Sequence, residues 1–233
     1  MYKRQLLYPP SKDDKTREIL FIRKSDNHTK VWEGEKLSKK QANELSGIDS
    51  IYFIDDFKDI LSSIASQVDT FYINKNEHYR ANSPVETRED RFISWLLKKY
   101  PAHNVAKSNP ILQRQRSIKH PDEIDQIKKA CDITRKGFNR VLEFIKPNVW
   151  EYEIEAEFIH EFINSSSIGF AYSPIIASGN DNNVLHYVKN NKQCKSGDLI
   201  LMDVGEEYGN YSSDMTRTVP VSGKYSKRQK EIY

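Results

Sequence analysis

The stretch LILMDVGEEYGNYSSDMTRTV, residues 199–219, decides how this chain is read. Four apolar residues, Leu199 to Met202, run straight into Asp203. Gly209-Asn210 follows, a pair suited to a two-residue hairpin turn because both residues tolerate positive φ. A second extended run, 211–221, then carries Asp214. The pattern predicts a hairpin whose turn lies around residues 208–210. The two aspartates are eleven residues apart. A turn centred between Tyr208 and Gly209 makes them direct cross-strand partners. A turn centred on Gly209-Asn210 makes them diagonal neighbours. Either even-membered loop points both to one sheet face, because side-chain direction alternates with period two.

Two carboxylates on one face repel each other. Asp203 also leaves an apolar run and is poorly hydrated, so the pair calls for a cation or a shared proton. A hard or borderline divalent metal is one answer. The plainer reading has Asp203 as a turn-end residue and Asp214 paired with Arg217 or in solvent.

Working outward, residues 175–177, 184–188 and 198–205 read as strands, with a Gly-Asn-Asp-Asn turn at 179–182. Two helices precede them. Pro121 suits a first helical position, and Asp122 and Glu123 complement the helix dipole. Ile124, Ile127, Cys131, Thr134, Phe138, Val141, Leu142 and Ile145 recur at helical spacing, which predicts a buried Cys131. Over residues 151–165, Ile154, Phe158, Ile159 and Phe162 are expected inward, and Glu151, Glu153, Glu155, Glu157 and Glu161 on the wet face. Two helices followed by hairpins give an α+β domain with helices on one face of an antiparallel sheet.

The first hundred residues form a smaller α/β unit. Strands are expected at 19–22, 51–54 and 71–73, with 30–33 as a hairpin partner of the first. Helices are expected at 38–45, after Asp55 or Asp56, and at 86–100 before Pro101. Residues 102–119 read as a basic connector.

Composition narrows the class. The chain has 233 residues, with 36 basic and 33 acidic ones, a balance too even to argue for nucleic acid. No apolar run approaches the ~20 residues that span a bilayer. The two cysteines, Cys131 and Cys194, build neither a disulfide framework nor a cysteine zinc site. No signal-peptide pattern opens the chain, so a cytoplasmic location is expected, which suits unpaired thiols. Residues 1–5 are also what a sequencing-library adapter would encode, and are expected to be an assembly scar. Residues 225–233 begin a helix on Ser226 that the chain leaves within about two turns.

The ordered series Tyr172, Gly179-Asn180, Leu185-His186-Tyr187, the Gly197–Gly205 run, Ser213-Asp214-Met215-Thr216-Arg217-Thr218 and Gly223-Lys224 resembles the Xaa-Pro aminopeptidase (aminopeptidase P) family. Arg116, Lys119 and Pro121-Asp122-Glu123-Ile124 resemble that family's entry to its catalytic domain. The likeness covers nearly all of residues 19–233, weakly before 110 and strongly after 170. It implies an aminopeptidase P-type N-terminal domain over 6–116 and the first half of a pita-bread catalytic domain over 117–233. It further implies two divalent metals, usually manganese, with Asp203 chelating one and Asp214 bridging both. His186 would orient the proline side of the substrate and aid proton transfer, and Tyr172 would line the same cavity. The implied substrates are peptides with an Xaa-Pro N-terminus, and the full-length protein would be a homo-oligomer. The family takes its remaining histidine and two glutamates from the second half of the catalytic domain, whereas only Glu231 follows Asp214 here. The expectation is therefore a fragment, cut at both ends and inactive by itself. Prolidase shares the fold, both aspartates and a similar His-Tyr pair, but Thr216-Arg217-Thr218 leans toward aminopeptidase P. Methionine aminopeptidase places glycine where this chain has Tyr187. A non-catalytic pita-bread module binding peptides or histones is the alternative outside enzymes.

Overall fold

A computed structural model describes residues 4–7, 17–75 and 84–233. The chain divides into two compact units, Met1–Gln113 and Arg114–Tyr233. That division falls inside one helix, three residues before the boundary expected from sequence. Residues 1–3 of the supposed scar lie outside the described residues, while Arg4 and Gln5 belong to a strand.

In the first unit, β1 (Arg4–Leu7) pairs antiparallel with β2 (Glu18–Ile22), and β2 pairs parallel with β3 (Ser50–Phe53). Strand β2 is apolar without alternation because both of its faces are covered. Ile19 and Phe21 pack with Phe57, Leu61 and Leu96, while Leu20 and Ile22 pack with Ala42, Ile48 and Ile51. The helices supplying those partners are α2 (Lys39–Ser46), α3 (Phe57–Ala65) and α4 (Arg88–Lys99). Ser38 and Thr87 cap α2 and α4 through reciprocal capping boxes. Asp56 precedes α3 but makes no side-chain cap; its carboxylate accepts from the Phe53 amide at 3.3 Å instead.

Two expectations fail here. Residues 30–33 are not a hairpin partner: they belong to helix α1 (Asn27–Glu33). The Asp26 carboxylate accepts the Thr29 amide at 2.6 Å, so the polar residues after β2 start a helix. Residues 102–119 are not a bare connector. Strand β5 (Asn104–Lys107) pairs parallel with β4 (Thr70–Ile73), and helix α5 (Asn109–Ser117) follows. Strand β5 is exposed apart from half-buried Ala106, so it lacks the alternation that marks a strand.

In the second unit, helices α6 (Pro121–Phe144) and α7 (Glu151–Asn164) cover one face of a three-stranded antiparallel sheet, ordered β10-β7-β6. Its strands are β6 (Ile175–Ser178), β7 (Leu199–Val204) and β10 (Met215–Pro220). Ile200, Met202 and Val204 of β7 are fully buried in a core with Phe138, Ile154, Phe158 and Phe162. Each such side chain contributes about 1.5–3 kcal/mol by leaving water. The aromatic centre includes an edge-on contact between Phe138 and Phe158, with centroids 5.1 Å apart.

Cys131 is exposed, against expectation. The buried line of α6 runs through Ala130, Ile133, Thr134, Gly137, Phe138 and Val141, which leaves Cys131 beside it. Glu151 is fully buried rather than on the wet face of α7. Residues 184–188 form no strand: a short 3-10 segment, Gly179–Asn183, leads into a turn at Leu185-His186. Among the described residues no helix is long and apolar enough to cross a membrane.

Candidate metal centre

The hairpin closes on Gly209-Asn210, both at positive φ (58° and 67°). Its short inner strands are β8 (Glu207–Tyr208) and β9 (Tyr211–Ser212), with Tyr208 opposite Tyr211. The same register continues into β7 and β10, where Thr216 is opposite Asp203 and Met215 opposite Val204. Asp203 and Asp214 are therefore diagonal, the outcome expected of a Gly209-Asn210 turn. Even-numbered β10 residues share the Asp203 face, away from the helices, so both carboxylates face the same way.

Between the two strands Gly205 meets the backbone of Ser213. A Cβ on Gly205 would collide with the Ser213 carbonyl and press on the Tyr172 ring at 2.8 Å. Only glycine permits this approach, which brings Asp203, Asp214 and Tyr172 together. The Tyr172 hydroxyl lies 2.7 Å from Asp203 Oδ1 and 3.0 Å from Asp214 Oδ1. Burial, then the hydrogen bonds to Asp203 and Asp214, push its ionisation well above the ordinary phenol range. It stays a neutral donor with one proton for two carboxylates. Of the plainer reading, the Asp214–Arg217 pair is not seen, since the Arg217 guanidinium donates to the Thr216 carbonyl at 2.7 Å, while Asp214 is exposed as that reading allowed.

The cleft has a volume of about 350 Å³ and is lined by Tyr172, Ser173, Ile175, His186, Val188, Asp203 and Asp214. All four residues singled out from the sequence thus meet in one place. A larger groove of about 660 Å³ lies on the helix side of β10, against α6, and contains none of them.

The donor set fits a hard dication in part. Two carboxylates share one face and one proton, so acceptor capacity is left over in the cleft. Among the described residues no group of three or more His, Cys, Asp or Glu side chains is arranged to hold a metal. Asp203 and Asp214 could therefore supply two ligands of a centre that needs others.

Sequence reasoning missed the support beneath His186. His186 is exposed on its turn, but Tyr187 is buried against Ile175, Ala177 and Leu201, on the Asp203 face of the sheet. The Tyr187 hydroxyl donates to Glu151 Oε2 at 2.8 Å. Burial, followed by that bond, raises its ionisation above the usual phenol value. The Lys192 amide donates to the same oxygen at 3.0 Å. The Ser178 amide and hydroxyl donate to Glu151 Oε1 at 2.8 and 2.7 Å. A buried carboxylate is tolerated when so fully hydrogen-bonded, and such charged bonds contribute about 1.5–3 kcal/mol each. In the sequence Glu151 is one acid among five on its helix, with nothing to mark it out except its place at the helix start.

Glu206 is the opposite case. It is fully buried, neither carboxylate oxygen has a hydrogen-bond partner among the described residues, and burial raises its pKa. Its backbone is fixed, since the Glu206 amide donates to the Ser213 hydroxyl at 3.0 Å. That hydroxyl in turn meets Thr134 Oγ1 at 2.6 Å.

Comparison with known proteins finds relatives for both units. Residues 125–233 match the model of metallopeptidase family M24, and residues 5–72 match the aminopeptidase P N-terminal domain. The Xaa-Pro aminopeptidase of Haemophilus influenzae is 31% identical over 220 residues, covering 93% of this chain and 48% of that protein. That of Escherichia coli is 31% identical over 229 residues, covering 96% and 51%. The solved structure of zinc-substituted E. coli aminopeptidase P in complex with product superposes with a TM-score of 0.82 at 30% identity. It covers 92% of this chain and 49% of the other. The chain spans about half the length of the curated relatives it matches. Both units of the chain thus match, in order, the two domains of aminopeptidase P proteins, and the chain resembles that group of metallopeptidase family M24 along nearly its whole length.

Proposed function

We propose that the complete protein is a metal-dependent aminopeptidase that removes the N-terminal residue from peptides with proline second. The observation that carries this reading is the pairing of Asp203 and Asp214 on one hydroxyl in the cleft that His186 lines. In this reading Asp203 would hold one divalent ion and Asp214 would be shared by two, with manganese proposed as the metal, which carboxylate and imidazole ligands suit. When bound, such a pair acidifies water for attack on the amide and stabilises the oxyanion that develops. His186 contacts the proline side of the scissile bond and helps carry a proton to the leaving nitrogen. Tyr172 lines the cleft and keeps the carboxylates ordered before the cation enters.

Two carboxylates alone hold a metal pair weakly. The 233-residue chain by itself is accordingly proposed not to turn over peptide. The two unpaired cysteines suit a reducing, cytoplasmic setting, and homo-oligomerisation of the complete protein is part of the proposal. Prolidase remains the second reading, because the cleft residues found here are compatible with either substrate length. The complete, manganese-loaded protein should release the first residue from an Xaa-Pro-Xaa tripeptide. Cleavage confined to Xaa-Pro dipeptides would favour prolidase instead, and absence of both activities would favour a peptide-binding module.

A further inference from the structure

We propose that Glu151 is a positioning residue for His186, acting through Tyr187. The proposal rests on the reading of His186 as the substrate-side group. His186 stands exposed on a turn, where nothing regular fixes a side chain. Its neighbour Tyr187 is buried on the Asp203 face of the sheet, so the ring sets where the turn lies. The Tyr187 hydroxyl ends on Glu151, at the first position of α7. The same carboxylate takes the Lys192 amide, which fixes the far end of the segment. It also takes both Ser178 donors, at the end of β6, the strand paired with the one carrying Asp203. One buried side chain thus ties the His186 turn to the sheet that carries the metal-ligand pair. A second tie is Asn190, whose side chain accepts the Ile176 amide at 3.1 Å and donates to the Pro174 carbonyl at 3.0 Å. Asn190 holds the segment three residues beyond Tyr187. Glu151 is the anchor that reaches the residue adjacent to His186.

The cleft needs this because His186 and the carboxylates come from separate segments. Small misplacement of a reacting group costs rate far more than it costs binding. Glu151→Gln presents an amide donor toward existing donors, and it threatens the fold as well as the site. Tyr187→Phe is the milder variant, since it removes one hydroxyl and leaves Glu151 three donors.

The test uses the complete, manganese-loaded protein and an Xaa-Pro-Xaa tripeptide, with His186→Ala, Tyr187→Phe and the two combined. Tyr187→Phe is expected to lower kcat about tenfold or more while KM stays within about twofold. In the His186→Ala background it should cause no further loss, because the residue it positions is gone. An unchanged kcat, a loss confined to KM, or losses that multiply in the combined variant would each overturn the proposal. If His186→Ala itself leaves turnover intact, the reading of His186 fails, and the positioning role falls with it. A readout independent of turnover is the His186 ring resonance in the metal-free protein. Tyr187→Phe should shift it while the resonance of exposed His160 stays unchanged. A His186 resonance that does not move overturns the proposal.

Discussion

Asp203 and Asp214 stand diagonally across one hairpin and share the hydroxyl of Tyr172, at 2.7 and 3.0 Å. Asp203 is half-buried and Asp214 exposed, so the pair spans the floor and mouth of the cleft. A single phenol proton cannot serve both acceptors. The arrangement is stable enough to fold and unsaturated enough to take a cation, and several expectations follow from that tension.

Tyr172→Phe removes the shared donor and leaves the carboxylates to repel each other. The metal-free protein should lose about 1 kcal/mol of stability. With manganese bound, the gap from wild type should narrow, because the cation then neutralises the pair. Urea titration with and without manganese measures this; an equal loss in both conditions would contradict it.

Gly205→Ala should be far more damaging than its size implies. The added methyl would strike the Tyr172 ring and the Ser213 carbonyl, and the latter is backbone that cannot move without opening the hairpin. A loss on the order of 3 kcal/mol or more is expected in denaturant titration. A change below about 1 kcal/mol would show that the close approach is not required.

Glu206 gives the stability profile a component of defined sign. Burial raises its pKa above the ordinary value of 4.5, and the neighbouring Glu207 carboxylate reinforces the shift. Between the unfolded and the folded pKa the folded state therefore holds a proton that the unfolded chain has released. Its contribution is complete below the unfolded value and is lost as pH rises through the folded one. Carboxylates with lowered pKa, such as Asp90 at about 2 beside Lys75, act oppositely, losing their contribution as pH falls. They are common to wild type and variant and cancel in the comparison. Glu206→Gln should gain stability on wild type as pH is raised from 4.5 toward 8. A difference independent of pH would contradict this.

The thiols should differ in reactivity. Cys131 is exposed, whereas Cys194 is buried and its pKa is pushed up to about 11, chiefly by burial. Ellman's reagent should modify Cys131 quickly in the native protein and Cys194 only on unfolding. Protection of Cys131→Ser against any rapid reaction would confirm the assignment, and rapid modification of that variant would contradict it.

Where the sequence was informative, local chemistry and tertiary structure agree. Gly209-Asn210 selects the turn, and the turn fixes the diagonal aspartates. Pro121 marks the start of α6, and Phe158 and Phe162 mark the inner face of α7. The errors arise where long-range contact overrides local pattern. Residues 30–33 look extended until Asp26 caps a helix over them. Strand β5 has almost no buried face and is defined by its pairing with β4. Cys131 sits one residue from the buried line of α6. Glu151 looks like its solvated neighbours because its donors come from Ser178, Tyr187 and Lys192, far along the chain. The apolar residues around His186 resemble a strand, yet the segment pairs through side chains and forms a turn.

The most direct measurement is the manganese content and affinity of the complete protein, wild type against Asp214→Ala. A bridging role predicts two tightly bound ions per wild-type chain and loss of tight binding at both positions when Asp214 is removed. Retention of two tightly bound ions by Asp214→Ala would contradict the assignment of this hairpin as the metal-ligand pair.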